Sequence, residues 1–195
     1  MSRLFDLAFA IPGLLILSPL FALIAVWIRL DSPGPAIFRQ TRVGQYGREF
    51  RICKFRTMHM AAGQVGPQVT RGDDPRITRC GRFLRTYKLD ELPQLVNVVR
   101  GEMSLVGPRP EVPKYVALHP EAYREILMVK PGMTDYAALE YLDENELLRG
   151  VADPEKKYLE EILPVKIELS RTYLKNRSGL TDIVLIFRTL WKIVT

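Results

Sequence analysis

Residues 7–28 read LAFAIPGLLILSPLFALIAVWI, twenty-two positions without one charged side chain, and their reading decides the fold. As a single helix this segment would extend ~33 Å, against ~30 Å of hydrocarbon in a bilayer. It is too long for a signal peptide, and no small-x-small cleavage site follows it. Ser18 and Pro19 lie near its centre. Pro19 has no N–H for the carbonyl of Leu15, and its ring presses on that carbonyl. Ser18 can bond back to the carbonyl of Leu14, which favours a bend. Two readings follow. One is a Pro-kinked spanning helix, which membranes tolerate. The other is a helix-break-helix hairpin whose arms of ~11 residues each reach ~16 Å, half the bilayer. Charge does not choose between them. A hairpin leaves Arg3, Arg29, Arg39 and Arg42 on the cytoplasmic side, and a spanning helix sends only Arg3 and Asp6 across.

The chain has 195 residues, enough for one compact domain. Lys and Arg number 28 against 22 Asp and Glu, a net charge of +6. The excess is segregated: residues 39–88 hold twelve basic groups and three acidic ones, a net of +9. Such a block suits an anionic partner or forms a solvated basic face. Two cysteines, Cys53 and Cys80, exclude a disulfide framework and a zinc cluster. Two histidines, His59 and His119, argue against a His-based metal site.

Past the apolar segment, the Pro- and Gly-rich run 31–35 marks a turn. Ala36–Val43 and Glu49–Met58 read as a β-hairpin around Gly44–Gly47, carrying Arg39, Arg42, Arg51, Lys54 and Arg56. Residues 61–75 read as a polar, mobile, glycine-rich loop. Thr78 is suited to cap a short helix ending near Tyr87. The bases Arg76, Arg79, Arg82, Arg85 and Lys88 recur every third residue and drift ~60° per step, so at most two or three converge on one ligand. Pro93–Arg100 reads as a helix stopped by Gly101, and Glu102–Val106 as extended. Helical spacing returns over 117–128, 137–149 and 155–176. A last helix, 181–194, is apolar around most of its circumference, with Thr181, Arg188 and Lys192 as a narrow polar stripe. It reads either as an interfacial helix with Trp191 at headgroup depth or as one buried on the core.

The chemistry-bearing run is Leu89-Asp-Glu-Leu-Pro-Gln94. Acidic residues before a helix serve as caps. Here, however, Arg85 lies upstream and Arg109 downstream, between two prolines. A guanidinium on stiff backbone grips phosphate oxygens bidentately with little ordering entropy. Asp90 and Glu91 with Arg85, Arg109, Lys54 and Arg56 resemble a phosphoryl-transfer site, one carboxylate attacking phosphorus while Mg²⁺ neutralises a diphosphate. Neither Gly44–Gly47 nor Gly63–Gly66 matches a P-loop or a dinucleotide fingerprint.

In order along the chain, SPGPAIFRQ (32–40), RVG (42–44), KFRTM (54–58), RCGRFLR (79–85), LDELPQLVN (89–97), GEMSLVGPRPE (101–111) and KPG (130–132) resemble the monotopic phosphoglycosyl transferases, the bacterial sugar transferase family. The resemblance covers about residues 7–132. Two departures stand out: Tyr87-Lys88 where a small pair is common, and Met133–Leu139 where the larger branch has a different run. Together with the lack of extra N-terminal helices, they resemble the small, minimal branch.

The resemblance implies transfer of a sugar 1-phosphate from a nucleoside diphosphate sugar, usually a UDP-sugar, to undecaprenyl phosphate, with release of UMP. This would initiate membrane-bound glycan assembly, and downstream glycosyltransferases would follow. By the family's motif Asp90 attacks the β-phosphorus and forms a covalent phosphosugar intermediate. Glu91 assists by holding Mg²⁺ or handling a proton, and Asp90 and Glu91 are the metal positions. Arg85 and Arg109 fall on phosphate-binding positions, and Ser18-Pro19 falls on the break of a re-entrant hairpin. The implied place is the cytoplasmic face of a bacterial inner membrane.

The fold expectation is therefore α+β: a re-entrant helix-break-helix anchor over 1–30, a catalytic domain with a small β-hairpin over 31–176, and an interfacial amphipathic helix over 177–195, packed as one monotopic unit. The competing expectation is a non-enzymatic membrane-anchored module that binds anionic lipid or nucleic acid through residues 39–88. The transferase reading expects no nucleic acid partner.

Overall fold

The computed structural model describes residues 2–60 and 69–194. The apolar segment lies within one helix, α1 (Arg3–Asp31), of 29 residues, with Pro12 and Pro19 both inside it. It is long and apolar enough to cross a membrane. No non-helical residue interrupts α1 at Ser18-Pro19, where a break between two arms is expected, because the chain compensates for the proline. Pro19 cannot donate to the carbonyl of Leu15, and the Ser18 hydroxyl donates to that carbonyl instead, at 2.8 Å. The bond runs to Leu15 and not to Leu14 as expected. With that acceptor satisfied, the helix continues.

One stripe of α1 faces the rest of the molecule along its whole length: Asp6, Ala10, Leu14, Leu17, Phe21, Ile24 and Ile28. Steps of three and four residues place these on one side of a helix. The opposite side exposes Phe9, Leu15, Ile16, Leu23 and Val26. Both ends are pinned by polar contacts. At the first turn, buried Asp6 accepts from the Ser104 hydroxyl at 2.9 Å and the Leu105 N–H at 3.0 Å. Arg3 donates to the carbonyls of Val98 and Val99. At the last turn, Asp31 accepts from the Cys80 N–H at 3.0 Å. Arg56, only 3% exposed, donates to the carbonyls of Ile28 and Ser32 at 3.4 and 2.7 Å, and to that of Pro33. Gly34 is required here: its φ is +121°, and a Cβ would lie 2.7 Å from the Arg56 guanidinium.

The expected hairpin is present as β1 (Ile37–Val43) and β2 (Glu49–Phe55), antiparallel from Ile37↔Phe55 to Val43↔Glu49. The capped helix follows as α2 (Arg79–Thr86), with the Gly81 N–H donating to Thr78 Oγ1 at 2.9 Å. Next comes α3 (Gln94–Arg100), closed by Gly101 at φ +83°. The N-terminal half of α1 packs on Phe50, Ile52, Leu95, Val98 and Met103. Its C-terminal half packs on Ala36, Phe55, Cys80 and Leu84. The apolar helix therefore shares its two cores with β1, β2, α2 and α3.

The extended run after Gly101 is β3 (Ser104–Val106). Past α4 (Pro113–Leu118) and α5 (Pro120–Ile126), it pairs in parallel with β4 (Gly132–Thr134). Sequence reading found β3 but not its partner, because three-residue strands carry no periodic pattern. The helical spacing over 137–149 and 155–176 resolves into α6 (Tyr136–Glu140), α7 (Glu144–Leu147), α8 (Pro154–Lys157), a wider turn over Tyr158–Ile162 and α9 (Leu163–Lys175). Parts of this region pack with α4 and α5 around a separate core of Tyr115, Tyr123, Ile126, Leu148, Tyr158 and Leu163.

The last helix, α10 (Gly179–Val194), seats Leu185 against Val106 and Tyr173. Its buried Asp182 accepts from the Tyr173 hydroxyl at 2.7 Å. Leu180, Phe187, Leu190 and Trp191 face outward. One narrow seam of this helix is thus buried on the core, and its remaining apolar surface is exposed. Of the glycine-rich loop read over 61–75, residues 61–68, including Gly63–Gly66, lie outside the described residues.

Asp6→Ala leaves the Ser104 hydroxyl and Leu105 N–H without an acceptor, and Arg56→Ala uncovers the carbonyls that end α1. Each is expected to lower stability by about 2–4 kcal/mol, read as a fall in unfolding temperature of the detergent-solubilised protein. Arg56→Lys should recover only part of the loss, since an ammonium lacks the guanidinium fork.

Candidate active site

Asp90 and Glu91 sit on a single tight turn, Leu89–Glu91, between α2 and α3. The chain enters it through Lys88, whose φ of 54° is left-handed and unfavourable for a side-chain-bearing residue. Two distant contacts hold Lys88 there: its ammonium donates to the carbonyl of Leu142 and pairs with Asp143 at 3.4 Å. Adjacent side chains on this turn diverge, and the two carboxylates meet different surroundings.

Glu91 is clamped. The Lys54 ammonium, from β2, donates to Oε1 at 2.8 Å. Arg109 grips both oxygens as a fork, with 3.0 Å to Oε2. Burial by itself would raise the Glu91 carboxyl, but Arg109 and Lys54 outweigh it and hold Glu91 well below the usual carboxylate range. Arg109 is raised in turn by the charge of Glu91. Asp90 is the opposite case. It is 8% exposed and accepts no hydrogen bond among the described residues. Burial, then the neighbouring Glu91 charge, push it above the ordinary value, and Lys54, Arg85 and Arg109 oppose the shift only in part. One carboxylate is thus held ionised and fixed by its cations, while the other keeps free oxygens in a cationic surround.

Arg85 comes from the inner side of α2. Its Nε donates to Thr57 Oγ1 at 2.8 Å, which orients the guanidinium. Its terminal nitrogens make no hydrogen bond among the described residues. Four of the expected site residues other than Asp90 are therefore gathered around it: Glu91, Lys54, Arg85 and Arg109. Arg56 is not. It was expected to bind substrate, yet every contact it makes is to a backbone carbonyl at the end of α1. Strand alternation would put Lys54 and Arg56 on one face, but the strand ends at Phe55 and Arg56 lies beyond it.

Sequence reading missed the support behind Arg109. Glu111 accepts from the Tyr158 hydroxyl at 2.5 Å and pairs with Arg42 at 3.4 Å. Lys166 bridges Glu144 at 2.8 Å and Glu111 at 3.7 Å. Glu111 lies in a motif quoted from the sequence, but Lys166 and Glu144 carry no local signal, because their pairing depends on how α9 packs.

The donor set fits a hard divalent cation. A carboxylate offers about four lone pairs. Lys54 and Arg109 occupy two on Glu91 Oε1 and one on Oε2, which leaves one on Oε2 and all four on Asp90. Mg²⁺ binds through one or two carboxylates while keeping waters and substrate phosphate oxygens. No cluster of three or more metal-ligating side chains occurs among the described residues.

The family model for bacterial sugar transferases matches residues 1–195. The UDP-glucose:undecaprenyl-phosphate glucose-1-phosphate transferase of Escherichia coli is 38% identical over 200 residues, covering 98% of this chain and 40% of that protein. Its namesake in Caulobacter vibrioides is 40% identical over 200 residues, covering 99% and 69%. The exopolysaccharide production protein PSS of Rhizobium leguminosarum is 37% identical over 198 residues, covering 97% and 93%. The chain thus spans about two-fifths of the Escherichia coli relative and nearly all of the Rhizobium one.

The split between the carboxylates predicts opposite stability effects. Asp90 titrates above its ordinary 3.8, so its ionised form weakens the fold at neutral pH. Asp90→Asn should raise the unfolding temperature by roughly 2–4 °C. Glu91→Gln leaves Lys54 and Arg109 without their counter-charge and should lower stability by about 3–5 kcal/mol. Thermal unfolding of both variants at pH 7 checks the pair.

Proposed function

The chain belongs to the bacterial sugar transferase family, and from that premise we propose that it moves a sugar 1-phosphate from a UDP-sugar to undecaprenyl phosphate, initiating glycan assembly at a membrane. The observation that carries this reading is the division of labour between Asp90 and Glu91. A nucleophile needs unencumbered oxygens, and only Asp90 has them.

In the donor half-reaction an Asp90 oxygen forms a bond to the β-phosphorus of the UDP-sugar. The bond from that phosphorus to the bridging oxygen breaks, and the electron pair leaves with UMP. Arg85, held by Thr57, and Arg109, held between Pro108 and Pro110, face the charge that develops on the phosphate oxygens. In the acceptor half-reaction an oxygen of undecaprenyl phosphate bonds to the same phosphorus, and the Asp90–phosphorus bond breaks to regenerate the carboxylate. A phosphate monoester has its second pKa near ~6, so the acceptor is largely dianionic at neutral pH and needs no base. Glu91, held well below its usual range, is a poor base in any case. Holding the cation fits Glu91, and removing a proton does not. A divalent cation on Asp90 and Glu91 Oε2 would neutralise diphosphate charge.

A monotopic, re-entrant placement in the cytoplasmic leaflet of a bacterial inner membrane completes the proposal. Its support is the pinning of α1. Crossing ~30 Å of hydrocarbon would carry Arg3 and Asp6 away from Val98, Val99, Ser104 and Leu105, breaking buried polar contacts. The nucleic-acid alternative through residues 39–88 is weakened because Lys54, Arg56 and Arg76 are turned to internal partners.

With UDP-sugars, Mg²⁺ and undecaprenyl phosphate, the protein should release UMP. Asp90→Asn should reduce release at least about 10³-fold and abolish the phosphosugar adduct seen by intact-protein mass spectrometry. Adduct formation should lose rate as pH falls through an Asp90 value above 3.8. Lys54→Met removes a facing cation, so that acid limb should move to higher pH.

For topology, Ser2→Cys is the probe, since Cys53 and Cys80 are buried. An impermeant thiol reagent is expected to label it from the cytoplasmic side alone, and labelling from the periplasm would reject the re-entrant placement.

A further inference from the structure

Lys88 stands directly before the turn that carries Asp90 and Glu91, at a position where the family commonly has a small residue. Among the described residues from Arg79 to Arg100, it alone takes a positive φ, 54° with ψ 19°. α2 before it and Leu89–Glu91 after it are right-handed. Lys88 is therefore where the chain changes direction into the turn. Its N–H donates to the Arg85 carbonyl at 3.2 Å, and its own carbonyl accepts from the Glu91 N–H at 3.4 Å. A side-chain-bearing residue stays left-handed only where its surroundings hold it there.

The hold is remote in sequence. The Lys88 ammonium donates to the carbonyl of Leu142 and pairs with Asp143 at 3.4 Å. This anchor is itself fixed. The next residue, Glu144, pairs with buried Lys166 at 2.8 Å, and the Asn145 carbonyl accepts from the Gly72 N–H at 2.7 Å. If Lys88 returned to negative φ, its Cα–Cβ bond would swing and carry the ammonium off Leu142. Asp90, for its part, accepts no hydrogen bond among the described residues, so no donor fixes its carboxylate directly. Its place is set through the backbone, by the residues on either side. Glu91 is gripped by Lys54 and Arg109, and Lys88 is the hold on the other side.

We propose that Lys88 is a positioning residue for the Asp90 nucleophile: its tether to Leu142 and Asp143 keeps the left-handed conformation that aims Asp90 at the donor phosphorus. The inference rests on the transferase reading above and adds a control of the nucleophile that a small residue at position 88 lacks the reach to supply. A carboxylate that must keep its oxygens free to attack takes its aim from a preorganised backbone, and a small misplacement of the attacking atom costs rate and not substrate binding.

The test uses the full chain in vesicles, with the UDP-sugar from which the unaltered protein releases UMP fastest. It reads the rate of phosphosugar-adduct formation and the KM for that UDP-sugar, each below the unfolding temperature of the variant. Lys88→Met keeps the stem and removes both contacts, and adduct formation should slow about tenfold with KM moved by no more than about twofold. Lys88→Gly removes the same contacts but takes φ 54° without strain, and should form the adduct at least about threefold faster than Lys88→Met. Lys88→Gln should fall between Lys88→Met and the unaltered protein, and it decides the outcome if Lys88→Met does not fold. Contacts that serve stability alone predict a lower unfolding temperature with an unmoved rate, or equal losses of rate in the Met and Gly variants. Either result overturns the positioning role and leaves the transferase reading intact, since the adduct still forms. Absence of the adduct in the unaltered protein overturns the transferase reading, and the positioning role with it.

Discussion

Arg56 closes the C-terminal end of α1 from inside the molecule, donating to carbonyls that the helix can no longer satisfy by itself. Asp6 does the corresponding work at the N-terminal end, toward Ser104 and Leu105. With both ends tied to one body, the most apolar element of the chain cannot act as a detachable anchor. It supplies one wall of two cores, and β2, α2 and α3 pack against it. The residues bearing Lys54, Arg85 and the Asp90–Glu91 turn come from those elements, so the position of the site relative to any membrane follows from the docking of α1.

The site itself is governed by how charge is apportioned. Two adjacent carboxylates in a buried place repel one another, and one arrangement relieves this: cations concentrate on one of them. Lys54 and the Arg109 fork do so for Glu91. Asp90 then keeps free oxygens and a raised affinity for protons. Glu111 and Glu144, both paired with Lys166, add negative charge in the surroundings of Arg109. The charge balance around Asp90 and Glu91 thus reaches residues up to α9, far from the motif in sequence.

Much of the local structure was legible in advance. The hairpin, the Thr78 cap, the Gly101 stop and the final helix each rest on interactions among near neighbours. Asp90, Glu91, Arg85, Arg109 and Lys54 were legible as a constellation because their residue types and order matched a phosphate chemistry. Other features were not. Ser18-Pro19 suggested a break, but one hydroxyl satisfied the stranded Leu15 carbonyl and the helix ran on. Arg56 resembled a ligand residue by its closeness to Lys54, and the end of a strand turned it to a structural task. The β3–β4 pairing and the burial of Asp182 had no sequence signal, since each partner is supplied by another element.

The sequence by itself determined the composition of the apolar segment, the segregation of positive charge, the short helices with their caps, and the set of groups able to handle phosphate. These depend on periodicity, on backbone constraints at proline and glycine, and on side-chain chemistry, all of them local. Only the tertiary structure decided which carboxylate is clamped, which arginine faces the site, and that α1 is held at both ends. Those outcomes depend on burial and on charges brought together across tens of residues, where a shift of one partner reverses the sign of an electrostatic effect.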